Sequence, residues 1–271
     1  MNRQESVITH PLSKDKELQR SVKEQFQAFL CALQFLSILP VGKQAAPTDK
    51  LLGQAVSWYP VAGLCIGVLL CLSAGLFLAL FNTWISAALV LTLWVVLTGA
   101  LHLDGLADSA DAWMGGLGSN IRTLKIMKDP TSGPIAISTL ILVLVIKLTA
   151  LQALLAANQV WALLWVLVFA RGYAVLLLMH TPYVREKGFG SAPKEHLSEK
   201  ACYTVLALLA LASLLWLSWL SIPALLVGLA GAYGLRQLML HRLQGCTGDT
   251  IGALIELSEA LVLLSLVACL T

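Results

Sequence analysis

Seven stretches of the chain, at about 55–81, 84–101, 134–156, 160–180, 201–220, 222–241 and 250–270, are long and apolar enough to cross a bilayer. Crossing takes roughly 20 mainly apolar residues. Within lipid, backbone polar groups must be satisfied inside the segment, so runs of this length fold as helices. An eighth apolar run, Phe26 to Val41, is too short to span and contains Pro40 near its end, which predicts an interfacial or re-entrant helix. Only 12% of the residues are charged and 58% are hydrophobic. A soluble domain is about a quarter charged, and one of this length cannot hide so much apolar surface. The expected fold is therefore all-α: a polytopic integral membrane helical bundle of about seven transmembrane helices plus the N-terminal interfacial or re-entrant helix.

The connections set the orientation. The turns around Asn82, Asn158 and Ser221 carry no charge, whereas the N-terminal region and the 102–133, 181–200 and 241–249 loops hold 15 of the 18 basic residues. Basic loops stay in the cytoplasm, which predicts a cytoplasmic N-terminus. Residues 1–25, polar and mixed in sign, read as a cytoplasmic tail or surface helix, and 26–271 as a single transmembrane domain. A net charge of +3 is too small to suggest nucleic acid as a partner. The six cysteines form no C-x-x-C pair and read as small buried hydrophobes. A homo-oligomer is compatible with the sequence, and the lipid bilayer is the expected surrounding.

The densest chemistry follows the second span. Asp104, Asp108 and Asp111 are spaced i, i+4, i+7, which puts them on one stripe of a helix. Like charges at that spacing repel; a cation between them removes the penalty, and hard oxygen ligands suit Mg²⁺, Mn²⁺ or Ca²⁺ rather than zinc. Leu101, Leu103, Leu106, Ala107, Ala110 and Trp113 make the other faces apolar, so this helix packs against others. Arg122, Lys125 and Lys128 share a face beyond it. Cations opposite carboxylates and a metal suit a phosphate ester or diphosphate. Arg171 and Lys147 lie inside apolar spans and need partners or a water-filled cavity. Arg185 and Lys187, with Gly188 and Gly190, form a loop fit to clamp a phosphate. Asp249 and Glu256, seven apart on the last span, present a second acidic stripe: further ligands, or a base for a hydroxyl substrate.

These segments together resemble the adenosylcobinamide-GDP ribazoletransferase family, also called cobalamin-5′-phosphate synthase. The resemblance runs from about Phe26 into the last helix. It is carried by His102-Leu-Asp104-Gly-Leu-Ala-Asp108-Ser-Ala-Asp111, Ile126-Met-Lys128-Asp129, Gly133, Arg171-Gly172, Tyr183-Val-Arg185-Glu-Lys187-Gly188-Phe-Gly190 and Thr247-Gly-Asp249-Thr-Ile-Gly-Ala-Leu-Ile-Glu256. It departs from the family pattern at Ile38, Ala112 and Pro130-Thr131.

The resemblance implies a Mg²⁺-requiring enzyme of the inner membrane with its active site on the cytoplasmic side. Its substrates would be adenosylcobinamide-GDP and α-ribazole or α-ribazole 5′-phosphate, with GMP leaving. It implies Asp104, Asp108 and Asp111 as metal ligands. Lys125, Lys128, Arg171, Arg185, Lys187, Asp249 and Glu256 would bind substrate, and Asp111 or Asp129 would take the hydroxyl proton. The acidic motif also looks like that of the CDP-alcohol phosphotransferases, so a lipid synthase is one alternative. That family should show two further aspartates at i,i+4 on the next helix, where this chain has only Asp129. An ion-coupled transporter is the other alternative, disfavoured because the outer half is almost without polar groups.

Overall fold

The computed structural model of the protein describes residues 14–42, 47–185, 196–217, 219 and 221–269, with only the backbone of 14–21 and 221. These residues form eleven helices: α1 Lys14–Leu36, α2 Asp49–Val56, α3 Tyr59–Leu80, α4 Thr83–Leu97, α5 Leu101–Gly115, α6 Asn120–Ile126, α7 Pro134–Ala156, α8 Ala162–His180, α9 Glu199–Leu217, α10 Ser221–Leu243 and α11 Gly248–Ala268. Among the described residues there is no strand, only a single parallel backbone pairing between Tyr183 and Cys246. The chain is a polytopic membrane helical bundle. Six helices, α3 and α7 to α11, are long and apolar enough to cross a membrane, and the bent pair α4–α5 supplies a seventh crossing if it counts as one span.

The local signals explain most boundaries. Pro60 and Pro134 sit in the first turns of α3 and α7, where a missing N–H costs nothing. Asn82 caps α4 by accepting from the Ile85 N–H, and Thr247 and Thr250 close a reciprocal capping box on α11. The apolar run from Phe26 does not begin its own helix; it continues the polar residues from Lys14 as one amphipathic helix. Ala28, Cys31, Ala32 and Leu36, at helical spacing, are its buried face. The first expected span, 55–81, is broken at Ser57-Trp58, leaving the short α2 separate from α3.

Burial is uneven. Within the most apolar window of each span, α8 is 89% buried and α11 67%, against 17% for α9 and 22% for α10. Two central helices are thus wrapped by helices that turn leucines outward: Leu208, Leu215 and Leu226 are each more than half exposed. Such surface is stable only against lipid. None of the six cysteines is in a disulfide, and four of them are buried.

Between α4 and α5 the axis turns by 85°. Gly99 and Ala100 both adopt left-handed backbone (φ 62° and 56°) at this corner. α4 alone, 15 residues or roughly 22 Å, is shorter than a hydrocarbon core of about 30 Å. We read α4, the corner and the first turn of α5 as the seventh crossing. From Asp104 onward, α5 lies at the polar end of the bundle, where α6, the 181–185 loop and the first turns of α7 and α11 also meet.

Candidate active site

The acidic stripe is the starting point. Asp104 is exposed, while Asp108 and Asp111 are half-buried. Between the first two stands Gly105, and its missing side chain brings two segments together. A Cβ there would lie 2.7 Å from the Asp249 carbonyl oxygen and 2.9 Å from its Cα. Helix α5 therefore touches the first turn of α11 backbone to backbone, and Asp249 joins Asp104 and Asp108. The electrostatics register this: burial first, then the charges of Asp104 and Asp249, push the Asp108 carboxyl up to about 6, against the pull of Arg185.

Arg185 reaches the group because its loop is stitched to the start of α11. The Val184 N–H donates to the Cys246 carbonyl (3.0 Å) and the Cys246 N–H to the Pro182 carbonyl (2.8 Å). Arg185 Nη2 then donates to Asp249 Oδ2 at 2.6 Å, both side chains remaining about one-fifth exposed. Its Nε is buried without a protein partner among the described residues. Lys187, expected beside it, lies outside the described residues.

Asp111 points elsewhere on the same helix. Its two oxygens accept from the Gly133 N–H (2.5 Å) and the Ala136 N–H (2.9 Å), so it caps α7 and ties α5 to it. Asp129 is exposed and its Oδ1 accepts from both the N–H (3.0 Å) and the hydroxyl (2.6 Å) of Thr131. Those bonds hold its carboxyl below the usual range. Thr131 is one of the positions where the chain departs from the family pattern, and here it fixes the aspartate. Arg122, Lys125 and Lys128 are partly or fully exposed on and after α6 and pair with no carboxylate among the described residues. α6 is held in place by Thr247 Oγ1 on Met127 Sδ (3.3 Å), and Arg242 anchors the end of α5 through the Trp113 carbonyl (2.5 Å).

Arg171 and Glu256 are not brought to this group. Both are buried, in a network within the bundle: Lys147 pairs with Glu256 and Glu259, and Arg171 pairs with Glu259. Lys147 also lies 4.7 Å from the centre of the Trp94 ring. His102, the first polar residue of α5, is buried nearby with its Nδ1 unpartnered among the described residues. Two cations and two carboxylates balance, as buried charge must. The pairing of Lys147 and Arg171 with Glu259 was missed from sequence. A depth match was the available signal: Lys147, Glu259 and Arg171 lie about 20, 17 and 14 Å from the polar ends of their helices at 1.5 Å per residue.

The donors at the polar end fit a hard divalent cation in kind: carboxylate oxygens from Asp104, Asp108 and Asp249, crowded enough to oppose ionisation of the middle one. Among the described residues no group of three or more Asp, Glu, His or Cys side chains is placed to hold a metal ion by itself. The arrangement is an open acidic cleft edged by Arg185.

The family model described as cobalamin-5-phosphate synthase matches residues 28–267. A protein of Pseudomonas fluorescens named adenosylcobinamide-GDP ribazoletransferase is 49% identical over 236 residues, covering 87% of this chain and 97% of that one. Proteins of the same name from Pseudomonas paraeruginosa and Pseudomonas aeruginosa are 50% and 48% identical over 247 residues, 90% of this chain and 99% of each relative. No solved structure matches the chain.

Proposed function

The chain belongs to the cobalamin-5-phosphate synthase family of enzymes, and on that premise we propose that it joins α-ribazole or its 5′-phosphate to adenosylcobinamide-GDP, releasing GMP, with Mg²⁺. The observation that carries this reading is the meeting of Asp104 and Asp108 with Asp249 and its Arg185 partner across the Gly105 contact. It supplies facing carboxylates and an arginine, groups that a diphosphate substrate requires.

In this reading Asp104, Asp108 and Asp249 hold the cation, and Asp111 contributes chiefly by fixing α5 on α7. A Mg²⁺ ion held there would supply Lewis-acid stabilisation of the charge that develops on the leaving phosphate. Arg185, together with Lys187, Lys125 and Lys128, takes the remaining phosphate oxygens, with Arg185 kept in orientation by Asp249. The ribazole ribose hydroxyl attacks the phosphorus nearer the cobinamide. The new O–P bond forms as the bond to the GMP phosphate breaks. Asp129 accepts the hydroxyl proton on Oδ2, since Thr131 occupies only Oδ1. Asp111 is the poorer acceptor, because α7 amides engage both its oxygens. Arg171 and Glu256 act from beneath, locking α8, α7 and α11. The concentration of basic residues at one end supports a cytoplasmic site in an inner membrane.

The test is purified protein with adenosylcobinamide-GDP, α-ribazole and Mg²⁺, with GMP followed by chromatography. GMP appearing only when all three are present supports the assignment. Release of CMP from a CDP-alcohol and a lipid acceptor, with no GMP from the first mixture, refutes it in favour of a lipid synthase.

A further inference from the structure

Away from the acidic cleft, two apolar cavities flank Tyr173. The first, about 310 Å³, lies between α8, α10 and α11 and is walled by Leu176, Leu177, Leu229, Ala232 and Leu254. The second, also about 310 Å³, lies between α3, α8, α9 and α10. Tyr173, Leu176 and Leu229 line both, so the two share a wall. None of the carboxylates of the acidic cleft lines either one. The groove faces outward, with Leu229, Tyr233 and Leu226 between 46% and 61% exposed, where in a membrane protein the surrounding solvent is lipid.

At the polar mouth of the first cavity stand Arg236 and His180. Among the described residues Arg236 has only neutral partners. Its Nε donates to Thr181 Oγ1 (3.1 Å) and its Nη2 to the His180 carbonyl (2.8 Å), and it pairs with no carboxylate among the described residues. A guanidinium has five N–H groups, so among the described residues three have no partner, while the two bonds fix its plane. The His180 ring is held between the Leu176 carbonyl and the Tyr203 hydroxyl, both at 2.9 Å, and so joins the rims of the two cavities. A fixed cation above paired apolar slots complements a molecule with one anionic head and two hydrocarbon chains.

We propose that this groove holds one anionic diacyl phospholipid, its phosphate on Arg236 and its chains in the two cavities. The test uses purified, delipidated protein in neutral detergent, with dioleoyl phosphatidylglycerol, dioleoyl phosphatidylcholine or inorganic phosphate added and bound lipid read by native mass spectrometry. The expected result is one phosphatidylglycerol retained about tenfold over phosphatidylcholine, whose choline cation offsets the charge of the phosphate that both lipids carry. Arg236→Gln should bring that ratio near one and Arg236→Lys should keep it. Ala232→Phe, which narrows the first cavity, should lower retention of both lipids with the preference unchanged. Equal retention of the two lipids by the wild type overturns the proposal, as does a preference that survives in Arg236→Gln. Competition by inorganic phosphate as effective as by phosphatidylglycerol makes it a free-anion site and also overturns it. If Arg236→Gln does not fold, undiminished lipid retention in Ala232→Phe decides against the proposal.

Discussion

Gly105→Ala isolates what the α5–α11 contact does. A methyl at this position would sit 2.7 Å from the Asp249 carbonyl oxygen, whereas ordinary contact begins near 3.4 Å. The obstructing atoms are backbone, so the helices must separate by about 0.7 Å at the point where Asp104 and Asp108 face Asp249. Overpacking of this kind costs about 1–3 kcal/mol, and alanine returns about 1 kcal/mol of helix propensity over glycine. The net stability change is small, about 0–2 kcal/mol. The geometry of the cleft changes more: a displacement near 1 Å costs on the order of 10²-fold in rate. The expected variant folds with a melting temperature only a few degrees below wild type and releases GMP about 10²-fold more slowly. Gly75→Ala, whose new methyl meets nothing within 4 Å, is the control and should leave the rate unchanged. A Gly105→Ala protein with wild-type turnover would refute the idea that this contact assembles the site.

Three further outcomes follow from the same geometry. Asp108 titrates near 6 in the fold, above the unfolded value of about 3.9, so its ionised form opposes folding at neutral pH. As pH falls through 6 towards 4, the metal-free protein should lose that penalty and gain stability, while its Mn²⁺ affinity, followed by isothermal titration calorimetry, should drop because a proton competes. Glu259→Gln removes the partner of both Arg171 and Lys147 and leaves two buried cations with one carboxylate. Breaking a buried pair costs about 3–5 kcal/mol, so thermal melts should show a steep loss, relieved in part when Lys147→Met is added. Asp111→Asn puts an amide donor against one of two backbone N–H groups. It should cost about 1–2 kcal/mol of stability as a lost helix cap, whereas Asp129→Asn should change the rate with no shift in melting.

The spans were legible because their signal is local: the run 134–156 coincides with α7, Pro134–Ala156. The corner after α4 was not, since Ala100 adopts its left-handed backbone without a residue type that announces it. The stripe of Asp104, Asp108 and Asp111 was fixed by periodicity, yet periodicity assigns a face and not a neighbour. It could not tell that Asp111 turns to the α7 amides while Asp108 meets Asp249. Likewise Asp249 and Glu256 share a helix, but the first opens into the cleft and the second is sealed against Lys147. What separates them is depth along α11, which becomes meaningful only once the facing helices are known. The glycines at 105 and 252 mark the contact, although neither names its partner from sequence alone.

The central claim is that carboxylates drawn from α5 and α11 share one divalent cation. Electron paramagnetic resonance of Mn²⁺ titrated into purified wild-type protein, Asp104→Ala and Asp249→Ala tests it most directly. Saturable binding by the wild type, lost in both variants while their helical content and melting are kept, is the predicted result. Unaltered Mn²⁺ binding in Asp249→Ala would contradict it.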